Sequence, residues 1–241
     1  MLKNFLFIIL FFMQIQLLAI SKEVFVVSES WEEYTNKDGS GLYFDIVKLV
    51  YEPIGIKVKI KIYPYTRAVQ MVKKKQADFW LGSFFNEEDY ALYPKYHFDK
   101  DIVSAMFKKD KYKEFKGIET LRNQKVGWIR GYAYDEDIDI PMQINERNTR
   151  ISLLKSLKKN RFDIILDDKY DIKHAIKKIN FDVSEYAFIE ILESNLYPAF
   201  RDDEKGEELR KIWNERMKTL IENGLLKKVY VKNDSLIDYP Y

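Results

Sequence analysis

Two stretches of this chain spell out the same grammar, β-α-β-α-β, and that repetition limits the folds open to it. In the first, Val24–Ser28 (VFVVS) is a short apolar run suited to a buried strand. A turn-rich stretch ends in Asp38-Gly39-Ser40-Gly41. Leu42–Tyr51 then carries Leu42, Ile46, Leu49 and Val50 at helical spacing, with Pro53 and Gly55 behind it as a stop. Lys57–Tyr63 alternates strictly and reads as a strand with one wet face, Arg67–Lys75 as a helix capped by Thr66, and Ala77–Leu81 as a third strand. The second unit runs through strand Lys125–Ile129, a short helix near Ala133–Asp137, strand Gln143–Glu146, helix Ile151–Asn160, strand Phe162–Leu166 and helix Lys169–Ile179. Helices alternating with strands predict parallel pairing and layered α/β packing. Ile102–Phe107 leads from the first unit into the charged stretch Lys108–Lys116. Phe188–Leu192 and Leu196–Phe200 read as two later strands, and Glu204–Lys228 as one long helix with an apolar face of Leu209, Ile212, Met217, Leu220 and Ile221. Two similar units imply a cleft between them, a preferred place for a ligand.

Ahead of the first unit stands a leader. Lys3 gives it a positive start, Phe5–Leu18 an apolar run broken by Gln14 and Gln16, and Ala19-Ile20-Ser21 small residues before a cut at Lys22. That is the layout of a secretory signal peptide; the other reading is a single N-terminal anchor helix, for which the run is short of the about 20 apolar residues a span needs. Residues 1–21 are assigned to the leader, which places the rest outside the cytoplasm, in the periplasm. Some 220 residues remain, enough for one large domain or two small ones. The chain has no cysteine, so a disulfide framework, a thiol nucleophile, a cysteine metal site and a lipoprotein anchor are all excluded. Lys and Arg total 40 against 38 Asp and Glu, interspersed along the chain, which argues against nucleic acid as a partner. His97 and His174 stand far apart without ligand spacing, so no metal site is expected.

Landmarks in order along the chain carry a resemblance: Ser28–Tyr34 (SESWEEY), Asp38–Asp45 (DGSGLYFD), Pro64–Ala68 (PYTRA), Lys74–Asp78 (KKQAD), Val126–Tyr134 (VGWIRGYAY), Asn160–Asp168 (NRFDIILDD) and Asn223–Tyr230 (NGLLKKVY). Together they resemble the family 3 periplasmic solute-binding proteins, which serve polar amino-acid ABC importers. The resemblance implies the two-lobed periplasmic-binding-protein type II fold, an α/β architecture with a ligand cleft between lobes joined by two crossover strands, here Ile102–Phe107 and Leu196–Phe200. It divides the chain into lobe 1, residues 22–104 and 198–241, and lobe 2, residues 105–197. Closure around the ligand would be a hinge motion.

The resemblance also implies a site. Trp31 matches the ring laid over the ligand after the first strand, with Tyr34 close behind; rings give apolar contact and attract cationic groups. Trp31 also fits a loop residue packing on its own lobe. Tyr65 matches a second ring. Beside it Arg67 stands in the first turn of a helix, where a cation opposes the dipole; it reads as a ligand contact or as an exposed surface arginine. Gly82-Ser83-Phe84-Phe85 matches the loop whose backbone faces the ligand, through Gly82, Ser83 and Phe85. In amino-acid binders an arginine a few residues later clamps the α-carboxylate; here that place falls on Tyr90, and Arg67 or Arg130 are the substitutes. Arg130-Gly131-Tyr132-Ala133 matches a loop offering N–H groups at a helix start, which suits anions. Asp168 matches the carboxylate that holds the ligand amine, and also fits an N-cap on the next helix.

These readings converge on an extracytoplasmic binding protein, not an enzyme, that captures a small polar solute, amino-acid-like or an organic anion, for a membrane ABC permease. No cofactor is implied, and a monomer is expected. A stand-alone ligand-sensing subunit for a membrane receptor is the alternative, and a dehydratase-like enzyme on the same fold a further one. Catalysis would need a poised acid or base; Asp168, Glu32 and Glu33 are available, with no nucleophile–base pair beside them.

Overall fold

The computed structural model describes residues 23–235 and 239–241; the leader and its cut at Lys22 lie outside the described residues. Eight strands form one sheet in the order β2-β1-β3-β8-β4-β7-β5-β6. In the first half, β1 (Glu23–Ser28) pairs parallel with β2 (Lys57–Ile62) and with β3 (Phe79–Ser83). Helices α1 (Leu42–Tyr51) and α2 (Tyr65–Lys73) connect them. β2 is exposed at every second residue, which is what the alternation of lysine with Val58, Ile60 and Ile62 dictates at a sheet edge. In the second half, β5 (Lys125–Ile129) pairs parallel with β6 (Gln143–Arg147) and β7 (Ile164–Asp168). Its helices are the short α3 (Tyr134–Asp137), then α4 (Arg150–Lys158) and α5 (Lys169–Lys178).

Two antiparallel strands join the halves. β4 (Asp99–Lys108) pairs along its whole length with β8 (Tyr186–Phe200), from Asp99↔Leu196 to Lys108↔Tyr186. The far end of β8 pairs with β3, Phe79 opposite Phe200, while β4 pairs with β7. The two strands expected at Phe188–Leu192 and Leu196–Phe200 are thus one strand of 15 residues. Its middle, Glu193–Asn195, is polar and lies beyond Leu192, which packs on the second-half core, yet its backbone groups are held by β4.

The expected long C-terminal helix is two, α6 (Glu204–Glu222) and α7 (Leu225–Lys232), broken where Gly224 takes φ 71°. Trp213, buried with Leu209, Met217 and Leu220, anchors α6 on the first half. Thr66 does not cap α2: Pro64 occupies the N-cap, and its fixed φ starts the helix two residues earlier. Separate buried clusters form around Phe44, Phe79 and Trp213 in the first half and around Trp128, Leu154 and Ile165 in the second. Among the described residues no helix is long and apolar enough to cross a membrane.

Candidate functional site

The loop after β1 is pinned from within. Thr35, fully buried, accepts the Trp31 N–H through Oγ1 at 2.9 Å and donates to the Glu29 carbonyl at 2.7 Å. This turns the Trp31 ring onto the end of β3, where Gly82 takes φ +83°. A Cβ there would fall 2.5 Å from the ring, so only glycine lets the indole lie this close. Tyr43 and Tyr65 flank the indole at centroid distances of 6.3 and 6.4 Å, and Tyr34 packs on Tyr43 at 4.9 Å.

The second half meets this aromatic wall with one of its own. Trp31 Nε1 donates to the Tyr132 hydroxyl at 3.0 Å, and the Tyr65 and Tyr132 rings cross edge to face at 5.7 Å. Tyr134, next in line, is buried against Trp128. Behind Tyr132, Arg150 in the first turn of α4 donates to its hydroxyl at 2.9 Å, pairs with Asp167 at 2.9 Å and with Asp171 at 2.6 Å. The two halves also touch at the rim, where His174 Nε2 lies 2.6 Å from Glu32.

Between the walls is a cavity of about 90 Å³, several times the ~10–15 Å³ one water needs. Its charged lining is mainly acidic: Glu87, Asp99, Asp101, Asp168 and Asp171 against Lys100 and Arg150. Glu87 accepts from the Phe84 N–H at 3.0 Å, Ser83 Oγ at 2.8 Å and Tyr65 Oη at 2.7 Å. Burial nevertheless pushes its carboxyl up to about 7. Burial, then the neighbouring Asp168 carboxylate, raises Asp101 well above the usual range. Asp168 itself caps α5, accepting the N–H groups of Tyr170 and Asp171 at 2.8 and 2.9 Å.

Of the twelve residues expected at the site, Trp31, Tyr34, Tyr65, Gly82, Tyr132 and Asp168 line this cavity. The other six stand elsewhere. Arg67 is exposed and lies over the Tyr63 ring at 4.6 Å, on the solvent face of α2. Arg130 is also exposed, 3.5 Å from Glu146. Neither lines the cavity. Tyr90 packs under Lys73, whose Nζ sits 4.6 Å over its ring. Ser83 is buried and turned toward Glu87 and Tyr93. Phe85 is 58% exposed and packs on Tyr93 and Tyr197. Ala133, at φ 46°, lines a second groove on the other side of Tyr65.

Among the residues missed are Arg150, Glu87, Asp101, Tyr43 and Tyr134. Arg150 carried the same signal as Arg67, a cation in a helix's first turn against the dipole. Asp101 and Tyr134 gave none, because β4 must pair with β7, and β7 with β5, before the two share a cavity. His97 stacks on Tyr241 at 4.8 Å. Among the described residues no group of three or more His, Asp or Glu is placed to hold a metal ion.

No protein-family model matches the chain. No curated protein matches it in sequence. Solved structures do match in three dimensions. A histidine kinase sensor domain with similarity to periplasmic binding proteins superposes with a TM-score of 0.73 at 15% identity, over 88% of this chain and 96% of that one. The chain has the periplasmic-binding-protein type II fold. An ABC uptake transporter substrate-binding protein from Streptococcus pneumoniae with bound histidine gives 0.69 at 17% identity, over 88% of this chain and 92% of the other. The ligand-binding core of GluR0 from Nostoc punctiforme, in complex with L-glutamate, gives 0.68 at 15%, over 88% and 99%. At these identities the likeness is one of fold.

Proposed function

We propose that this chain is an extracytoplasmic solute-binding protein that captures a small polar solute between two lobes and hands it to a membrane ABC permease. The observation that carries the reading is the cavity itself: aromatic rings from both halves of the sheet, with charged groups among them, line a cavity of about 90 Å³ between the halves. Ligand sites on two-domain folds are built this way. Solved proteins of the same fold hold histidine and L-glutamate. The lobe limits proposed are residues 22–104 with 198–241, and 105–197. Residues 1–21 act as a cleaved signal peptide, which puts the mature protein in the periplasm. It works as a monomer, by binding rather than turnover, and without nucleic acid.

A sensory reading has its own support, since neighbours include a histidine kinase sensor domain and a GluR0 ligand-binding core. Both readings share the binding step. The test is mass spectrometry of whatever copurifies with the chain from its native compartment, followed by thermal-shift screening of a broad library of amino acids and polar metabolites. A true ligand at a hundredfold excess over its Kd adds about 2.7 kcal/mol of apparent stability. A library that shifts nothing, or a hit that is chemically converted in the tube, overturns the reading.

A further inference from the structure

We propose that the solute is an organic ammonium-type cation with no carboxylate to place, which narrows the polar-solute reading above and rests on it. The first ground is that this chain's own carboxylates fill the places where an anion would sit. Backbone N–H groups at the end of β3 and at the loop after β5 are the natural seats for an anionic group in such a cleft. The Phe84 N–H is taken by Glu87 at 3.0 Å. Gly131, on the second groove, likewise gives its N–H to a carboxylate, Glu146 at 2.9 Å. A ligand carboxylate at the Phe84 N–H would have to displace Glu87 and leave that carboxyl short of a donor.

The second ground is charge. Both cations that line the cavity already have anionic partners. Arg150 is held between Asp167 and Asp171. Lys100 reaches Glu193 at 2.7 Å on the outer side of β8. Asp101 and Asp168 line the cavity as neighbours, and burial followed by the Asp168 carboxylate holds Asp101 above its ordinary range. A cation beside this acidic pair is attracted to it, where an anion would be repelled.

The third ground is the orphan hydroxyl. Tyr134 is 1% exposed and lines the cavity, and its Oη has no hydrogen-bond partner among the described residues. The rings of Trp31, Tyr65 and Tyr132 continue the same wall. An ammonium or guanidinium group set there donates to the Tyr134 oxygen, faces the rings favourably and reaches the Asp101–Asp168 carboxyls. A group that is cationic and also a hydrogen-bond donor meets all three features together.

Titration calorimetry of the full chain with four probes tests this. Agmatine is L-arginine without its carboxylate; ethanolamine is a primary ammonium without one; L-arginine and L-glutamate carry it. Agmatine or ethanolamine is expected to bind about tenfold or more tighter than L-arginine, with L-glutamate silent. Asp101→Asn keeps the size of the side chain and its capacity for hydrogen bonds while removing its charge, and it should weaken the cation by about tenfold. Tyr134→Phe keeps the ring and should weaken it by less. L-glutamate or L-arginine binding tighter than either cation, unchanged in Asp101→Asn, overturns the cation inference while leaving the solute-binding reading in place. Silence from all four with a library hit elsewhere also overturns it. Silence across the library as well overturns both.

Discussion

Gly82 shows how a single residue sets the shape of the cavity. Its φ of +83° lies in the left-handed region, and the Trp31 ring occupies the space a Cβ would need. Gly82→Ala is therefore expected to cost about 1–2 kcal/mol for the backbone and to push the indole into the ligand space. Urea denaturation reads the first effect and calorimetry with the screened ligand the second. In a Trp31→Ala background the steric part should vanish, leaving the backbone part alone. Trp31→Ala itself should weaken binding by about thirtyfold, the size of a lost aromatic contact of about 2 kcal/mol at a binding centre, with the fold intact. Unchanged affinity in a folded Trp31→Ala chain would return the ring to a packing role. Landmarks close to strand ends carried the resemblance at this scale, and Trp31 after β1, Tyr65 after β2, Gly82 near the end of β3, Tyr132 after β5 and Asp168 at the end of β7 all line the cavity. Arg150 was not, because its role depends on three carboxyl and hydroxyl partners that lie 17 to 21 residues away in sequence.

Among the elements, the parallel units were readable because each helix and strand carries its own period, and Leu42–Tyr51 and Lys125–Ile129 begin and end where the pattern says. β8 was not, because Glu193–Asn195 looks like a polar linker until β4 is laid beside it. The break before α7 was missed because apolar spacing continues across Gly224. One tie between elements rests on Asp78, 2% exposed before β3. It accepts the Phe25 N–H at 2.8 Å, pairs with Lys205 at 2.7 Å on α6, and meets Arg201 at 3.4 Å. Removing one partner of a buried charged cluster strands the others. Asp78→Ala is expected to cost about 3–5 kcal/mol by urea denaturation, and a loss below 1 kcal/mol would show that water replaces the carboxylate.

For the molecule as a whole, the buried carboxyls set a pH dependence. Glu87 rises from an ordinary 4.5 to about 7, and burial raises Asp101, Asp167 and Asp171 in the same direction. An acid whose folded pKa is raised holds more protons folded than unfolded, so stability is greatest at low pH and falls as pH rises toward the folded value. Between pH 5 and 8 Glu87 alone should remove about 3 kcal/mol. His97, lowered by burial, acts the opposite way. The reading is therefore the difference between the wild type and Glu87→Gln. The variant should show the shallower fall, and equal slopes would show that Glu87 is ionised without cost.

The pairing of β3 with β8 also fixes an order of events during synthesis. Phe79 cannot find Phe200, nor Trp80 find Ala199, until well over half the chain has left the ribosome. Through that interval the β3 edge stands bare, with an apolar strand and unpaired backbone groups that invite another chain. The closing contact spans a long loop, and loops of that length close slowly. The nascent chain is thus prevented by its own topology from completing its first sheet early, and a truncation anywhere before Tyr197 should yield a sticky product rather than a folded half.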